Sequence, residues 1–311
     1  MTKRAFKILA IDGGGVRGAF AAQILKRIKE KLGKDISKEF DIIAGTSTGA
    51  IVAAGMAIDY PPQKMLNLYR VGGKKIFRQS YSGFLNLNNW KALFRSKYEI
   101  ASLKEALQEM YGDILLSQAK TDLIILASDI ISGNPFIFKS KHEQYFALNN
   151  DIKLVDAVLA SCSVPIFFDP ALIKGYLLVD GCLWANNPSL VALMEAMGKN
   201  FNQDKENIKI FSLGTGINKN CYDAAEYPKH WGASQWGVRL IGSMMNLQST
   251  SINNAVRLIL NNDEQLLRID FDMNPSIALD DPDVVDSLIA IADEEFSINF
   301  ERIKNFFETK K

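Results

Sequence analysis

A serine stands between two glycines near the start of this chain, in the stretch Gly45–Gly49 (G-T-S-T-G). Apolar runs flank it, Phe40–Ala44 before and Ala50–Ala57 after, which predicts a strand, a tight turn and a helix. Because such an elbow leaves no room for side chains beside the serine, both flanking positions require glycine. The turn would present the Ser47 hydroxyl at a helix N-terminus, as a nucleophile. A serine that only caps the helix is the alternative.

A glycine cluster precedes the elbow, in Asp12–Gly18 (D-G-G-G-V-R-G), after a strand-like run and before a helical one. Its backbone N–H groups are suited to stabilising an oxyanion. The same glycines also fit the dinucleotide pattern G-x-G-x-x-G, which needs an acid at the end of the second strand. Asp41 begins the next apolar run instead of ending it, so a nucleotide-binding oxidoreductase is the less favoured alternative.

A serine nucleophile needs a base, and the chain has only two histidines, His142 and His230. A triad of Ser47, Asp180 and His230 is formally available, although His230 lies in a turn-like stretch with no strand leading into it. Asp180 closes a short apolar strand and precedes a glycine, so its carboxylate would project from the strand end. A buried carboxylate beside a serine hydroxyl can act as general base. An ordinary Asp-Gly turn is the alternative.

Strand-length apolar runs alternate with amphipathic helical segments, which predicts an α/β fold with a mostly parallel sheet and helices on both faces. The predicted strands are Lys7–Ile11, Phe40–Ala44, Asp122–Asp129, Pro135–Phe138, Tyr176–Val179 and Ile208–Leu213. The predicted helices are Gly18–Leu32, Thr48–Ala57, Pro62–Tyr69, Ser102–Tyr111, Ile152–Ser161, Pro188–Met197, Trp236–Asn261 and Asp283–Phe307. We expect one domain over residues 1–311, with the motifs in 6–216 and a mainly helical part over 236–311.

The composition excludes little. A net charge of +1 gives no general attraction for nucleic acid. Neither a secretory signal nor a run of about 20 apolar residues is evident, and three cysteines without metal-type spacing (Cys162, Cys182 and Cys221) suit reduced thiols. We therefore expect a cytoplasmic protein. The oligomeric state is left open: Trp231–Leu247 offers an apolar association surface, although core packing is its favoured use.

The segment over residues 60–98 contains eight basic residues and no acidic one, with aromatic residues interleaved. The basic residues are Lys64, Arg70, Lys74, Lys75, Arg78, Lys91, Arg95 and Lys97. Such a composition suits a lid that contacts anionic lipid at a membrane surface. A solvated loop with a few packed aromatic residues is the alternative of about equal weight.

Together these residues resemble the patatin-like phospholipases. That family carries the blocks D-G-G-G-x-[RK]-G, G-x-S-x-G, A-S-x-x-x-P and D-G-[GA], and they stand here in the same order. The matching stretches are Asp12–Gly18, Gly45–Gly49, Ala160–Pro165 and Asp180–Cys182. One position departs from the pattern, since Cys182 occupies the place of Gly or Ala. A thiol packs as a small hydrophobe, so we expect it to be tolerated.

The resemblance implies a three-layer α/β/α sandwich and a lipid acyl hydrolase with a Ser–Asp dyad, Ser47 and Asp180, that needs no histidine, metal or cofactor. It also implies an oxyanion hole, formed by backbone N–H groups with a basic side chain nearby: Gly13, Gly14, Gly15 and Arg17. The implied substrates are acyl esters of glycerophospholipids or other polar lipids, reached by peripheral contact with a membrane. Compact bacterial members include anti-phage effectors that a cyclic oligonucleotide activates, and the basic segment would then meet phosphates. A non-catalytic storage protein of the same family would be expected to lack Ser47 or Asp180.

Overall fold

The computed structural model describes residues 4–77, 96–141, 151–218, 233–273 and 277–308. Within this part of the chain, eight strands form one sheet. They are β1 (Phe6–Ile11), β2 (Ile42–Thr46), β3 (Asp122–Asp129), β4 (Asn134–Lys139), β5 (Ala171–Ile173), β6 (Tyr176–Asp180), β7 (Ile208–Leu213) and β8 (Leu266–Ile269). The order across the sheet is β5-β6-β3-β2-β1-β7-β8, and β4 also pairs with β3.

The centre of the sheet is parallel. Strands β3, β2, β1, β7 and β8 run in one direction, while β4 and β6 pair antiparallel with β3 and β5 pairs antiparallel with β6. The predicted strands occur close to their expected bounds, except that Phe40 precedes β2. Two strands are not predicted from the sequence: β5, which has three residues, and β8, whose apolar run is interrupted by Arg268.

Helices cover both faces of the sheet. They are α1 (Gly18–Leu32), α2 (Ile36–Glu39), α3 (Thr48–Ala57), α4 (Pro62–Asn67), α5 (Gly73–Ile76), α6 (Ile100–Tyr111), α7 (Leu154–Ser161), α8 (Cys182–Ala185), α9 (Ser189–Met197), α10 (Ala233–Leu260), α11 (Val285–Ile298) and α12 (Phe300–Phe307). A π-helical turn, Leu68–Gly72, joins α4 to α5. The predicted helix over 283–307 is therefore two helices, which meet at Asn299.

The two faces of β1 show how the core divides. Because successive strand residues point to opposite faces, Ile8 and Ala10 pack in the smaller apolar layer, with residues of α9 and α10. Leu9 and Ile11 pack in the larger layer, with residues of α1, α3, α6 and α11. The molecule is thus an α/β/α sandwich, which confirms the predicted fold class. No described helix has both the length and the apolar character needed to cross a bilayer.

Candidate active site

The predicted elbow is present, and its backbone is strained. Ser47 links β2 to α3 with φ 56° and ψ −127°, a conformation that costs a non-glycine residue on the order of 1–3 kcal/mol. The turn is close-packed, because a Cβ at Gly45 would overlap the backbone of Gly49. The Ser47 side chain is consequently held at the carboxyl end of β2, where sites form in parallel α/β sheets.

Strand β3 brings Asp180 to the same place. Along one edge, β3 pairs with β2 as far as Leu126, which faces Thr46. The next residue, Ala127, pairs with Asp180 of β6. Strand β6 lies on the same edge of β3 as β2, because β4 pairs along the other edge. The strand that carries the carboxylate therefore continues along the edge that β2 leaves at the elbow. Ser47 and Asp180 meet although 133 residues separate them in the chain.

Asp180 is completely buried. Its Oδ1 accepts a hydrogen bond from the Cys182 N–H at 2.7 Å, whereas Oδ2 receives none of normal geometry from the described residues. Burial raises the pKa of this carboxyl to about 7, while the nearby Ser47 hydroxyl and the Cys182 N–H act in the opposite direction. The hydroxyl thus lies close to the carboxyl without a well-formed hydrogen bond to it. Such contacts often tighten only when substrate binds.

The segment Ala160–Pro165 supports both residues. The Ser161 hydroxyl accepts a hydrogen bond from the Ser47 N–H at 2.9 Å and donates one to the Leu126 carbonyl at 2.6 Å. The Ser163 carbonyl accepts from the Asp180 N–H at 3.0 Å. In the sequence this segment is recognisable only as a family motif. The structure shows that it ties the elbow to β3 and the carboxylate to the end of α7.

The glycine loop lies against the elbow, and one of its predicted donors is occupied. The Gly13 N–H donates to the Asn186 carbonyl at 3.0 Å, which corrects the prediction that all three glycine N–H groups are available. In the described part of the chain, the N–H groups of Gly14 and Gly15 donate to no protein acceptor. The Arg17 side chain is buried, and its Nε donates to the Gly14 carbonyl at 3.1 Å. Arg17 therefore orients the loop.

A buried ionic cluster supports the loop from the neighbouring strands. Arg268 of β8 makes a bidentate contact with Asp12, at 3.1 and 2.7 Å, and donates to Asp270 at 2.6 Å. The Thr215 hydroxyl donates to the Gly13 carbonyl at 2.6 Å. The sequence analysis did not single out Arg268. The available signal was a charged residue inside a short apolar run, since a buried charge requires a partner.

An apolar cavity opens at Ser47. Gly15 of the loop also lines it. Its walls come from α3, the π-helical turn, α5, α6, the loop after α7, and α10, through residues such as Ile51, Leu68, Ile76, Leu103, Phe167 and Met245. The space between these walls, together with the solvent that adjoins it, amounts to about 660 Å³. The candidate nucleophile Ser47 therefore lies in the wall of an apolar cavity that is open to solvent.

The basic segment is largely neutralised where the structure describes it. Residues 78–95 of the predicted lid lie outside the described residues. Three of the remaining cations form ion pairs with carboxylates of one acidic stretch: Arg70 with Asp286, Lys74 with Asp283, and Lys97 with Asp280. The Tyr98 hydroxyl donates to Asp280 as well, at 2.6 Å. These contacts fasten the segment to the chain that follows Leu279.

The other residues considered for catalysis or nucleotide binding are the histidines, the cysteines and Asp41. Both histidines and Cys221 lie outside the described residues. Burial raises the pKa of the Cys162 and Cys182 thiols well above the ordinary value, so neither is a ready nucleophile. Asp41 precedes β2 and accepts a hydrogen bond from the Lys7 N–H at 2.8 Å. Asp41 therefore lies at the amino end of β2, whereas the glycine loop lies at the carboxyl end of β1. A dinucleotide site needs an acid at the carboxyl end of the second strand, and Asp41 is not in that position.

The fold and the site are of the type found in enzymes that hydrolyse esters. Residues 9–193 match the model of the patatin-like phospholipase family. The chain therefore belongs to this family, and it is an ester-hydrolysing enzyme.

Several bacterial relatives are similar over much of the chain. It is 29% identical over 260 residues to a cGAMP-activated phospholipase of Pseudomonas aeruginosa, covering 83% of this chain and 76% of the relative. A cGAMP-activated phospholipase of Vibrio cholerae is 32% identical, with 68% of this chain and 65% of the relative covered. A cUMP-AMP-activated phospholipase of Escherichia coli is 30% identical with the same coverage. Among solved structures, VipD of Legionella pneumophila matches at a TM-score of 0.42 and 12% identity, covering 93% of this chain and 67% of VipD.

Proposed function

We propose that the protein is a phospholipase A-type lipid acyl hydrolase that cleaves fatty-acyl esters of membrane glycerophospholipids or related polar lipids with Ser47 and Asp180. One observation carries the proposal: the strained serine, beside the buried carboxylate, lines an apolar cavity. Such a cavity suits an acyl chain, and a chain bound there would leave its ester carbonyl beside Ser47. The enzyme would act peripherally at membranes from the cytoplasm.

In the first half of the reaction, Ser47 Oγ attacks the ester carbonyl while Asp180 takes the hydroxyl proton. The N–H groups of Gly14 and Gly15 stabilise the oxyanion, which is where charge develops. The tetrahedral intermediate then collapses to an acyl-serine, and Asp180 returns the proton to the departing alcohol. In the second half, Asp180 removes a proton from water, which attacks the acyl-serine; the intermediate collapses to release the fatty acid, and Asp180 returns the proton to Ser47 Oγ. A pKa of about 7 suits a group that must accept and return a proton near neutral pH.

A fluorophosphonate probe tests the nucleophile. We expect it to label the wild-type protein and the Ser132→Ala variant, whose serine lies in the turn between β3 and β4, but not Ser47→Ala. Lipid analysis of total membrane extract should show free fatty acid and lysophospholipid only when Ser47 is intact. Equal labelling of Ser47→Ala would assign the nucleophile to another residue and refute the dyad.

We further propose that a cyclic dinucleotide activates the enzyme, as part of membrane degradation in anti-phage defence. The names of the bacterial relatives, cGAMP-activated and cUMP-AMP-activated phospholipase, support this proposal. Fatty-acid release from phospholipid vesicles should rise when cGAMP or cUMP-AMP is added, and Ser47→Ala should release none with either. Full activity without any nucleotide, unchanged on its addition, would contradict the activator but not the hydrolase.

A further inference from the structure

The long helix α10 carries an apolar stripe on its outer face. Four large apolar side chains are exposed there: Trp236 by 40%, Leu240 by 40%, Met244 by 43% and Leu247 by 70%. Their spacing of four, four and three residues places them on one face of the helix. The apolar composition of this region favours core packing. Core packing occurs at Ile241 and Met245 on the inner face, but it does not extend to these four residues.

The stripe lies directly behind the active site. Met245, between two members of the stripe, lines the apolar cavity. One turn further on, Gln248 accepts a hydrogen bond from the Asn186 N–H, and Ser249 accepts one from the Asn186 side chain at 2.9 Å. Asn186 in turn holds Gly13 of the glycine loop. At Met244, the neighbour of Met245, the stripe is therefore separated from the cavity by about the width of one helix, ~10 Å.

The charge around the stripe favours an anionic surface. The chain has no acidic residue between Glu226 and Asp263, and Arg239 lies on the exposed side of the helix, beside the stripe. Beyond Leu247 the same face becomes polar, with Thr250, Ser251 and Asn254. The run of neighbouring exposed apolar side chains is thus confined to the first half of α10, over a length of about 16 Å at ~1.5 Å per residue, and Leu258 further along is isolated from it by the polar stretch.

We propose that this stripe, Trp236 to Leu247, is the surface that docks the enzyme on a lipid bilayer. The proposal rests on the proposed function, because an acyl chain must leave the bilayer beside the cavity that receives it. A second copy of the chain fits less well. Four partly exposed side chains offer on the order of a few hundred Å², whereas a stable dimer buries roughly 800 Å² on each partner. Interfacial insertion needs only a few apolar side chains flanked by cations.

Vesicle flotation tests the surface. We compare wild type with the double variant Leu240→Glu/Leu247→Glu, using vesicles of phosphatidylethanolamine and phosphatidylglycerol. The matched control is Leu258→Glu, on the same helix and 80% exposed, but beyond the polar stretch. The double variant should bind vesicles at least about tenfold more weakly, since two apolar contacts are lost and two repelled charges are added. The control should stay within about twofold.

Hydrolysis of a soluble short-chain ester without vesicles separates the two proposals. All three proteins should hydrolyse it equally, because neither position lines the cavity. Unchanged vesicle binding by the double variant would refute the docking surface, as would an equal loss in Leu258→Glu. So would a dimeric wild type that the double variant converts to monomer with vesicle binding intact. Failure of wild type to hydrolyse any ester, with or without cGAMP or cUMP-AMP, would instead count against the proposed function, while flotation still reports on docking.

Discussion

Replacing Asp180 by Asn should greatly reduce catalysis and stabilise the fold. The carboxyl is completely buried and has a pKa of about 7, raised mainly by burial. An asparagine has nearly the same shape and keeps an oxygen that can accept the Cys182 N–H, but it carries no charge at any pH. It cannot take the proton of Ser47, so kcat/KM should fall by about 10²–10⁴.

The gain in stability follows from proton linkage. Because the pKa in the folded protein is raised above its ordinary value of 3.8, the stability associated with the protonated carboxyl is fully present below pH 3.8. It is lost as the pH rises through about 7. At ~1.4 kcal/mol per pH unit, this raised pKa costs the fold about 2 kcal/mol at pH 5, where only the unfolded chain ionises the group, and about 4 kcal/mol at pH 8. The Asn variant avoids this cost.

Urea unfolding at pH 5, 6, 7 and 8 measures the difference between Asp180→Asn and wild type. The free energy of unfolding of the variant should exceed that of wild type, by a margin that grows by about 2–3 kcal/mol from pH 5 to pH 8 and levels off above pH 7. The Ser47→Ala variant is the control for loss of activity alone, and it should not reproduce this trend. A margin that does not change with pH would refute the inference that Asp180 is buried with a raised pKa.

Three further outcomes follow from the same site. The kcat/KM of wild type on a soluble ester should rise with pH and inflect near 7, where Asp180 loses its proton; a flat profile from pH 5 to 9 would contradict its role as base. Arg268→Ala should destabilise the protein by about 3–5 kcal/mol in urea unfolding, because two buried carboxylates lose their partner, whereas the surface variant Arg257→Ala should cost less than about 1 kcal/mol. Cys182→Ala should keep kcat/KM within about threefold, since Asp180 Oδ1 is held by the backbone N–H at this position; a larger loss would give the thiol a role of its own.

Local sequence was sufficient for the elbow and for most of the helices and strands. The turn at Ser47 depends on glycines within two residues of it, and helical or strand periodicity is visible over a dozen residues. The same reasoning failed where a residue's surroundings come from distant parts of the chain. Strand β8 is not predictable from its own residues, because Arg268 interrupts the apolar run. The carboxylate that most directly neutralises Arg268, Asp12, lies 256 residues away in the chain.

The oxyanion donors show the same limit. The glycine cluster identified the loop, but nothing local indicated that the Gly13 N–H would be taken by Asn186, which arrives after β6. Likewise, the apolar composition of α10 favoured core packing over an association surface, although the helix provides core contacts on one face and an exposed apolar stripe on another. Which side chains face the cavity and which face outward depends on the rotation of the helix against the sheet.

The sequence by itself determined the order of the motifs, the serine elbow, the loop of backbone donors and the alternation of strands and helices, because each depends on the sterics and periodicity of neighbouring residues. Only the tertiary structure decided that Asp180 meets Ser47, since the pairing of β3 first with β2 and then with β6 sets that distance. The burial that raises the Asp180 pKa to about 7, and the cavity that opens beside it, are likewise products of packing between distant segments.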